Sequence, residues 1–488
     1  MFSRRQILAG AASLAAGAAL SIRPGRSAYS ASALAEAPEL RAGKTVSARL
    51  VAAERPGTLP CFGGARLPMW TFSDTTWLPE IRLNLGDRLE AELVNALPRT
   101  GEHTSIHWHG IRLPNDQDGV PFLVQPPVEP GQSYRYGFVP PDAGTFFFHT
   151  HCNTVEQLGR GLAGVLIIDG DAAVPYAADE TLFLRDWLID TKAGAFRNFY
   201  TTRGASRAGT YGSIRSANGD GPHALRLPAG RDSRLRLING DPTRVMEIAV
   251  EGAEAAVIAI DGIPVPPFPL ASWLLGPAMR IDLALRAPGT DGTAAIVDRK
   301  LGDPVTLATI TGQGAMPATA TDFDPAPLRA GRVPEPDLAS AERLAFVFAA
   351  TTAPPVAVAS ADPVDALLMS SICSSANIFW TINGEAWPMG DHSNIPPPLA
   401  RLVLGRSYVF ALTNTSQLLH PVHIHGYTFK VLKSDQRRLP VHHADTLIVQ
   451  PGETVDVAFV ADNPGRWMLH CHVIEHQETG MMGYLDVA

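Results

Sequence analysis

Apolar and polar residues alternate with a period of two over short stretches along most of this chain, set off by glycine and proline. The clearest stretch runs from Leu85 to Asn95, where Gly86 makes a turn and Leu89, Ala91 and Leu93 then alternate with Arg88, Glu90 and Glu92. That pattern predicts a strand with one buried face. Two further copies follow, Ala229 to Asn239 and Leu404 to Asn414, and each ends on an asparagine nine positions after its glycine. A second element also repeats, Pro130 to Phe138 against Pro451 to Phe459, with a weaker echo at Pro277 to Leu285. Three copies of one β unit predict an all-β protein of three similar sandwich domains, because strands at this spacing close by packing two sheets together. The domains are placed near 38–172, 173–325 and 340–488, with the Pro/Ala-rich stretch Met316 to Pro336 linking the second to the third. No long amphipathic helical pattern competes.

Composition sharpens this picture at a few points. Charged residues make up only 18% of 488, against 45% hydrophobic ones, and 43 Gly and 41 Pro suit many strands joined by tight turns. The net charge is -8 and no Lys/Arg-rich run occurs, which argues against a nucleic-acid partner. At the N-terminus, Arg4-Arg5 precedes a small apolar run, Ala9 to Leu20, and Ala31-Ser32-Ala33 offers a cleavage site. Residues 1–33 thus read as a leader similar to a twin-arginine export signal, too short in its apolar part for a membrane span. The expected location is periplasmic or secreted, with no stable membrane span in the mature form. Four cysteines are too few for a disulfide framework. Cys471 lies between two histidines, so at most one bridge can form among Cys61, Cys152 and Cys373. The pairing and the oligomeric state stay open.

The repeat also locates the chemistry. Counted from Pro130, His149 and His151 stand at offsets 19 and 21, and counted from Pro451, His470 and His472 stand at the same offsets. Nine and eleven residues after Asn414 come His423 and His425, whereas the same count from Asn239 reaches Ile248 and Val250. The first domain carries its corresponding pair slightly later, at His107 and His109. Domains one and three therefore each hold two His-x-His pairs and the middle domain none. Two half-sites facing each other across the interface of domains one and three follow, with the middle domain as spacer and wall.

In a strand, residues i and i+2 share a face, so each pair can grip neighbouring metal ions. Imidazole suits copper, and histidines without carboxylates disfavour magnesium, calcium and manganese. The four pairs supply eight nitrogens, the number a three-copper cluster needs. His420, Cys471, His476 and Met481 then form a blue-copper set of two imidazoles, one thiolate and a distant thioether. Cys471 faces away from His470 and His472, so its thiolate can hold one ion while its neighbours hold two others. Zinc fits poorly, since a cysteine between two histidines matches no common zinc pattern.

These stretches, His107-Trp108-His109-Gly110, His149-Thr150-His151, His420-Pro421-Val422-His423-Ile424-His425-Gly426 and His470-Cys471-His472 through His476 to Met481, resemble the four signatures of multicopper oxidases. The resemblance covers the mature chain and is nearest to bacterial three-domain laccase-like enzymes. It implies cupredoxin-like Greek-key domains and four copper ions, one of type 1, one of type 2 and two of type 3. It assigns His107 and His423 to type 2 copper. One type 3 ion falls to His109, His149 and His472, and the other to His151, His425 and His470. Type 1 copper falls to His420, Cys471 and His476, with Met481 axial. The partners implied are O2 and a small reducing substrate.

Reducing dioxygen to water also needs protons, hence a carboxyl group near the cluster. Asp118 matches the acid that bacterial relatives place there, although Asp116-Gln117-Asp118-Gly119 also reads as a turn with solvated acids. Many bacterial relatives carry a relay glutamate directly after the last type 1 histidine. Here that position is Gln477, so either Glu478 replaces the relay or the route runs mainly through Asp118. The catalytic candidates are thus Asp118, Glu478 and Cys471. Three functions compete: a laccase-like oxidase of phenols and aromatic amines, a periplasmic oxidase of Cu(I) or Fe(II), and a copper-free structural or cell-division protein on the same fold. The third requires lost ligands, and nitrite reduction on a related fold would lack the type 3 pair. Cuprous oxidases carry a methionine-rich insertion and an acid before the first type 1 histidine. Here methionines are scattered and Ser416-Gln417-Leu418-Leu419 precede His420, which leans toward an organic donor. The remaining histidines, His103, His223, His392, His442 and His443, are expected at the surface or in turns.

Overall fold

The computed structural model describes residues 34–38, 41–319, 321–351, 378–387 and 395–488; the expected leader, Cys373 and His392 lie outside them. Three two-sheet sandwiches follow one another along the chain. In the first, strands Thr45–Gly57, Leu67–Thr71, Arg88–Ala96 and Ser133–Phe138 form one sheet. Strands Glu80–Asn84, His107–His109, Gly144–His149 and Ala163–Asp169 form the other. The second and third sandwiches each pair a six-stranded with a five-stranded sheet. Helices are short among the described residues, Thr154–Arg160, Thr202–Ala205 and Ile474–Glu478. No described helix is long and apolar enough to cross a membrane.

Each copy of the alternating repeat plays one structural part. Arg88–Ala96, Asp232–Asn239 and Ser407–Asn414 run parallel to the first strand of their domain, and each also pairs antiparallel with the strand of the second repeated element. The weak echo in the middle domain is therefore a full counterpart, the strand Arg280–Arg286. The turn glycines Gly86, Gly230 and Gly405 have φ of 97°, 66° and 81°, a region in which a Cβ is strained.

The closing asparagine explains itself once packed. Asn95, Asn239 and Asn414 are fully buried, and each side-chain amide donates to two backbone carbonyls. Asn95 reaches Glu102 and Val128 at 2.8 Å each, Asn239 reaches Arg244 and Leu275 at 2.8 Å each, and Asn414 reaches Leu418 and Val449 at 2.7 and 3.0 Å. Each side-chain oxygen accepts from the backbone N–H two residues on. One amide thus joins the end of a strand in one sheet to the connections entering the other. In domains one and three one of the two carbonyls, that of Glu102 or Leu418, lies just before a strand that carries histidines.

The proline-rich linker is a packed strap. Phe323 and Leu328 are buried against Ala256, Ala259 and Ala284 of the middle domain. Farther along, the Arg332 N–H donates to Asp142 of the first domain at 2.8 Å, and the Arg332 carbonyl accepts from Arg112 at 3.1 Å. The linker therefore ties the first two domains together on its way to the third.

Candidate metal centres

The first half-site is built by two antiparallel strands, His107–His109 and Gly144–His149, with His107 directly opposite His149. The second half-site repeats it, His423 lying opposite His470 between strands His420–Ile424 and Gly465–Cys471. Only His107 and His109 sit wholly inside one strand. His151, His425 and His472 each fall just past a strand end, which corrects the expectation of a strictly strand-borne pair. The pairs keep a common side, with ring centroids 4.8 to 6.3 Å apart. The early strand end frees the chain to turn into the helices Thr154–Arg160 and Ile474–Glu478, which follow His151 and His472.

The half-sites meet face to face. The His107 ring stacks on His425 and the His109 ring on His423, both with centroids 3.9 Å apart. All eight histidines are buried, none more than 2% exposed. On six of the eight rings the protein ties back the outer nitrogen, the exceptions being His151 and His472. The backbone carbonyls of Asp118, Thr150, Asp445 and Cys471 lie 2.7 to 3.0 Å from the Nδ1 atoms of His107, His149, His423 and His470. The opposite nitrogens point inward, and six of the eight rings carry a buried nitrogen with no hydrogen-bond partner among the described residues. The other two, His425 and His470, face each other through Nε2 at 3.0 Å. A buried unpaired polar group costs about 1–3 kcal/mol, so such a set is not maintained for packing. Burial and the neighbouring rings hold His109, His149, His425, His470 and His472 well below the usual histidine range, and His151 down to about 3. Buried, inward-facing imidazoles, six of them with the other nitrogen fixed, are the donor set a copper cluster requires.

The mononuclear set is equally compact. His420 Nδ1 and His476 Nδ1 lie 3.2 Å apart, and Cys471 Sγ is 3.5 and 3.6 Å from them. Three ligand atoms this close fit a single ion. All are buried, and burial pushes the Cys471 thiol above its usual range, so metal binding there would displace its proton. Met481 is fully buried, and its carbonyl accepts from the Cys471 N–H at 3.1 Å. Met482 packs elsewhere, with Val120, Leu123 and Met468.

Carboxylates complete the clusters, and not all were foreseen. Asp118 is 1% exposed rather than solvated in a turn, with Oδ2 2.9 Å from His425 Nδ1 and Oδ1 3.3 Å from His107 Nδ1. It touches histidines of both half-sites. Asp445, which no sequence signal marked, sits 3.0 Å from His109 Nε2 and 3.5 Å from His423 Nδ1. Its partner is Arg280 of the middle domain, whose two terminal nitrogens reach the two carboxylate oxygens at 2.9 and 2.5 Å. Asp261, also from the middle domain, accepts the backbone N–H groups of Asp445 and Thr446 at 3.2 and 3.1 Å. The middle domain therefore does more than space the others; it fixes an acid that orients two cluster histidines.

Glu478 accepts from the Val155 N–H at 3.1 Å, joining the two short helices, and burial raises its carboxyl to about 8. Gln477 is fully buried. Several histidines expected outside are inside: His103 packs edge-on against Phe122, and His442 is buried with Nδ1 2.7 Å from the Pro440 carbonyl. Neither belongs to a group of described side chains placed to hold a metal. His223 and His443 are half-buried, and His223 lies 2.5 Å from Asp220. Cys152 is buried with Sγ 3.7 Å from the Ser105 hydroxyl, and it is not bonded to Cys61. Pairing through Cys373 falls outside the described residues.

Three cupredoxin-like sandwiches with a blue-copper ligand set joined by one cysteine to an eight-histidine cluster define a copper-dependent oxidase. Family models described as multicopper oxidase match residues 56–173, 179–314 and 363–488. The chain is 31% identical to the multicopper oxidase MmcO of Mycobacterium tuberculosis, over 99% of this chain and 96% of that protein. It is 27% identical to Laccase-1 of Botryotinia fuckeliana over 86% of this chain and 78% of that one. Among solved structures, a multi-copper oxidase from Pseudomonas thermotolerans superposes with a TM-score of 0.79 at 38% identity, covering 92% of this chain and 100% of the other. The chain belongs to the multicopper oxidase family. It is a copper-dependent oxidoreductase that uses O2.

Proposed function

We propose that this protein is a laccase-like oxidase of phenols and aromatic amines, with one type 1, one type 2 and two type 3 coppers per chain. Copper supplies the one-electron oxidation of the donor and the four-electron reduction of O2 to water. His420, Cys471 and His476, with Met481 as a weak further donor, would hold the type 1 ion, and the eight paired histidines would hold the other three in the allotment given above. Cys471 links the two centres covalently through His470 and His472. Asp118 fixes His425 and supplies protons to the cluster, and Glu478 serves as a second proton-holding group. The leader at residues 1–33 directs folded export to the periplasm or beyond.

The observation that carries the choice of donor is the lining of the mononuclear site. His420 Nε2 faces the Ser416 hydroxyl at 2.8 Å and His476 Nε2 faces the Arg207 carbonyl at 2.5 Å. The Trp380 ring packs against both histidines, with centroids 5.1 and 4.5 Å away. Glu475, beside His476 in sequence, turns inward to bond the Thr210 hydroxyl at 2.7 Å. No carboxylate bonds the outer nitrogens of these histidines among the described residues, and a site for Cu(I) or Fe(II) needs soft or anionic ligands there.

Oxygen uptake by fully copper-loaded protein tests the reading. Phenols and aromatic amines are expected to be oxidised with kcat/KM at least about tenfold above Fe(II) and Cu(I). The reverse order assigns the protein as a metal oxidase. A chain that binds no copper belongs with the structural alternative.

A further inference from the structure

His476 is fully buried, so a donor cannot lie against its ring. Its outer nitrogen is covered by a short piece of the middle domain, Thr201 to Tyr211, which is bound tightly in place. The Thr201 hydroxyl caps the helix Thr202–Ala205 by accepting from the Gly204 N–H at 2.9 Å. It also meets the Thr210 hydroxyl at 2.9 Å, and both carboxylate oxygens of Glu475 accept from Thr210. Trp380 donates from its indole N–H to the Ala205 carbonyl at 2.7 Å. Gly204 admits no side chain, since a Cβ there would lie 2.0 Å from the Thr210 hydroxyl, and Gly209 has φ of 98°. The segment is thus a preformed cover joined to third-domain residues beside the mononuclear site.

Its outer face carries one sign of charge. Arg203 and Arg207 are exposed, and Thr201 to Tyr211 contains no acid. The guanidinium of Arg207 extends from the residue whose carbonyl lies 2.5 Å from His476 Nε2. On a chain of net charge -8 this piece is locally cationic. Two guanidiniums attract carboxylates and sulfonates, can stack on aromatic rings and repel metal cations.

We infer that Thr201 to Tyr211 is the donor-docking surface of this protein, and that Arg203 and Arg207 select aromatic donors bearing a negative charge. The inference rests on the laccase-like reading above and adds the charge class of the donor and the place where it docks. Because the contact to His476 is a backbone carbonyl, side-chain substitutions at Arg207 leave it in place.

The test uses the copper-loaded full chain and a matched pair of phenols, one neutral and one carrying a carboxylate remote from the hydroxyl. In the double variant Arg203→Glu/Arg207→Glu, the ratio of kcat/KM for the anionic phenol to that for the neutral one is expected to fall at least about tenfold. In the wild type that ratio declines as salt rises, and in the variant it does not. Calorimetry with a redox-inert naphthalenesulfonate reads docking without turnover, and its affinity is expected to drop by a similar factor. The milder Arg203→Gln/Arg207→Gln chain, checked for its blue band, guards against misfolding of the reversed one. A ratio and a sulfonate affinity equal to the wild type in both variants overturn the inference. If the wild type oxidises neither phenol, the laccase-like reading fails instead, and the calorimetric arm still judges the two arginines.

Discussion

Arg280 and Asp445 stand 165 residues apart in different domains, yet they form a fully buried two-pronged ion pair beside the histidine cluster. Asp445 in turn meets His109 of the first domain and His423 of the third. Three domains therefore converge on one carboxylate. Removing one partner of such a pair leaves a buried charge uncompensated, at about 3–5 kcal/mol. Arg280→Gln is expected to lower stability by that order and to reduce copper in the cluster while the blue band of the mononuclear site persists. Arg280→Lys should fall between, because an ammonium cannot bridge both oxygens in the same plane. Copper per chain, paramagnetic resonance and thermal unfolding check it. Wild-type copper content and stability in Arg280→Gln would sink the assignment.

Asp118 separates two roles by substitution. Asp118→Asn keeps an oxygen that can face His425 but removes the exchangeable acid, so copper content should hold. Turnover should fall at least about tenfold, equivalent to about 1.4 kcal/mol of barrier. Asp118→Ala, lacking the acceptor as well, should also lose copper from the cluster. Reduction of the mononuclear site by donor without oxygen, followed by stopped flow, should match wild type in Asp118→Asn. Unchanged turnover in that variant would leave Asp118 as a positioning residue alone.

Met481→Leu removes the thioether proposed as a weak further donor and leaves His420, Cys471 and His476 in place. The protein should remain blue, and its mononuclear potential should rise in redox titration. Met482→Leu is the comparison, since Met482 packs with Val120, Leu123 and Met468. A potential that moves with Met482 and not with Met481 reverses the assignment.

Acid stability should depend on Glu156, on the helix just after His151. Burial alone would raise this carboxyl, but the guanidiniums of Arg99 and Arg160, each 2.8 Å away, hold it below its ordinary value. A folded value below the unfolded one, about 4.3, means the group stabilises the fold above that pH. The contribution is lost as pH falls through the folded value. Glu156→Gln is expected to cost about 1–3 kcal/mol near neutral pH, with the gap to wild type closing below about pH 4. Urea unfolding across that range checks it; a gap independent of pH assigns the loss to packing rather than to charge.

The repeat made the three sandwiches legible because strand alternation and turn glycines are local properties, readable over ten residues. It also gave the histidines, since ligands two apart near a strand end keep a common side whatever surrounds them. The closing asparagine was visible as a repeat, but its double amide clamp was not, because the carbonyls it joins belong to other segments. Of the two readings open for Asp116 and Asp118, a turn with solvated acids fits Asp116, which is exposed in the turn Asn115–Gln117, and fails for Asp118. Asp118 is buried because the third domain docks over it and brings His425 to its oxygen.

By itself, then, the sequence determined the ligand types, their spacing and the domain that lacks them. Tertiary structure alone decided that the ligand-free domain reaches the cluster through Arg280 and Asp261, that Asp445 faces two histidines, and that the Arg207 carbonyl covers His476. The physical reason is range. Ligand spacing follows from backbone geometry within one segment, whereas the groups that orient, cover and charge the site come from surfaces brought together only when three domains pack.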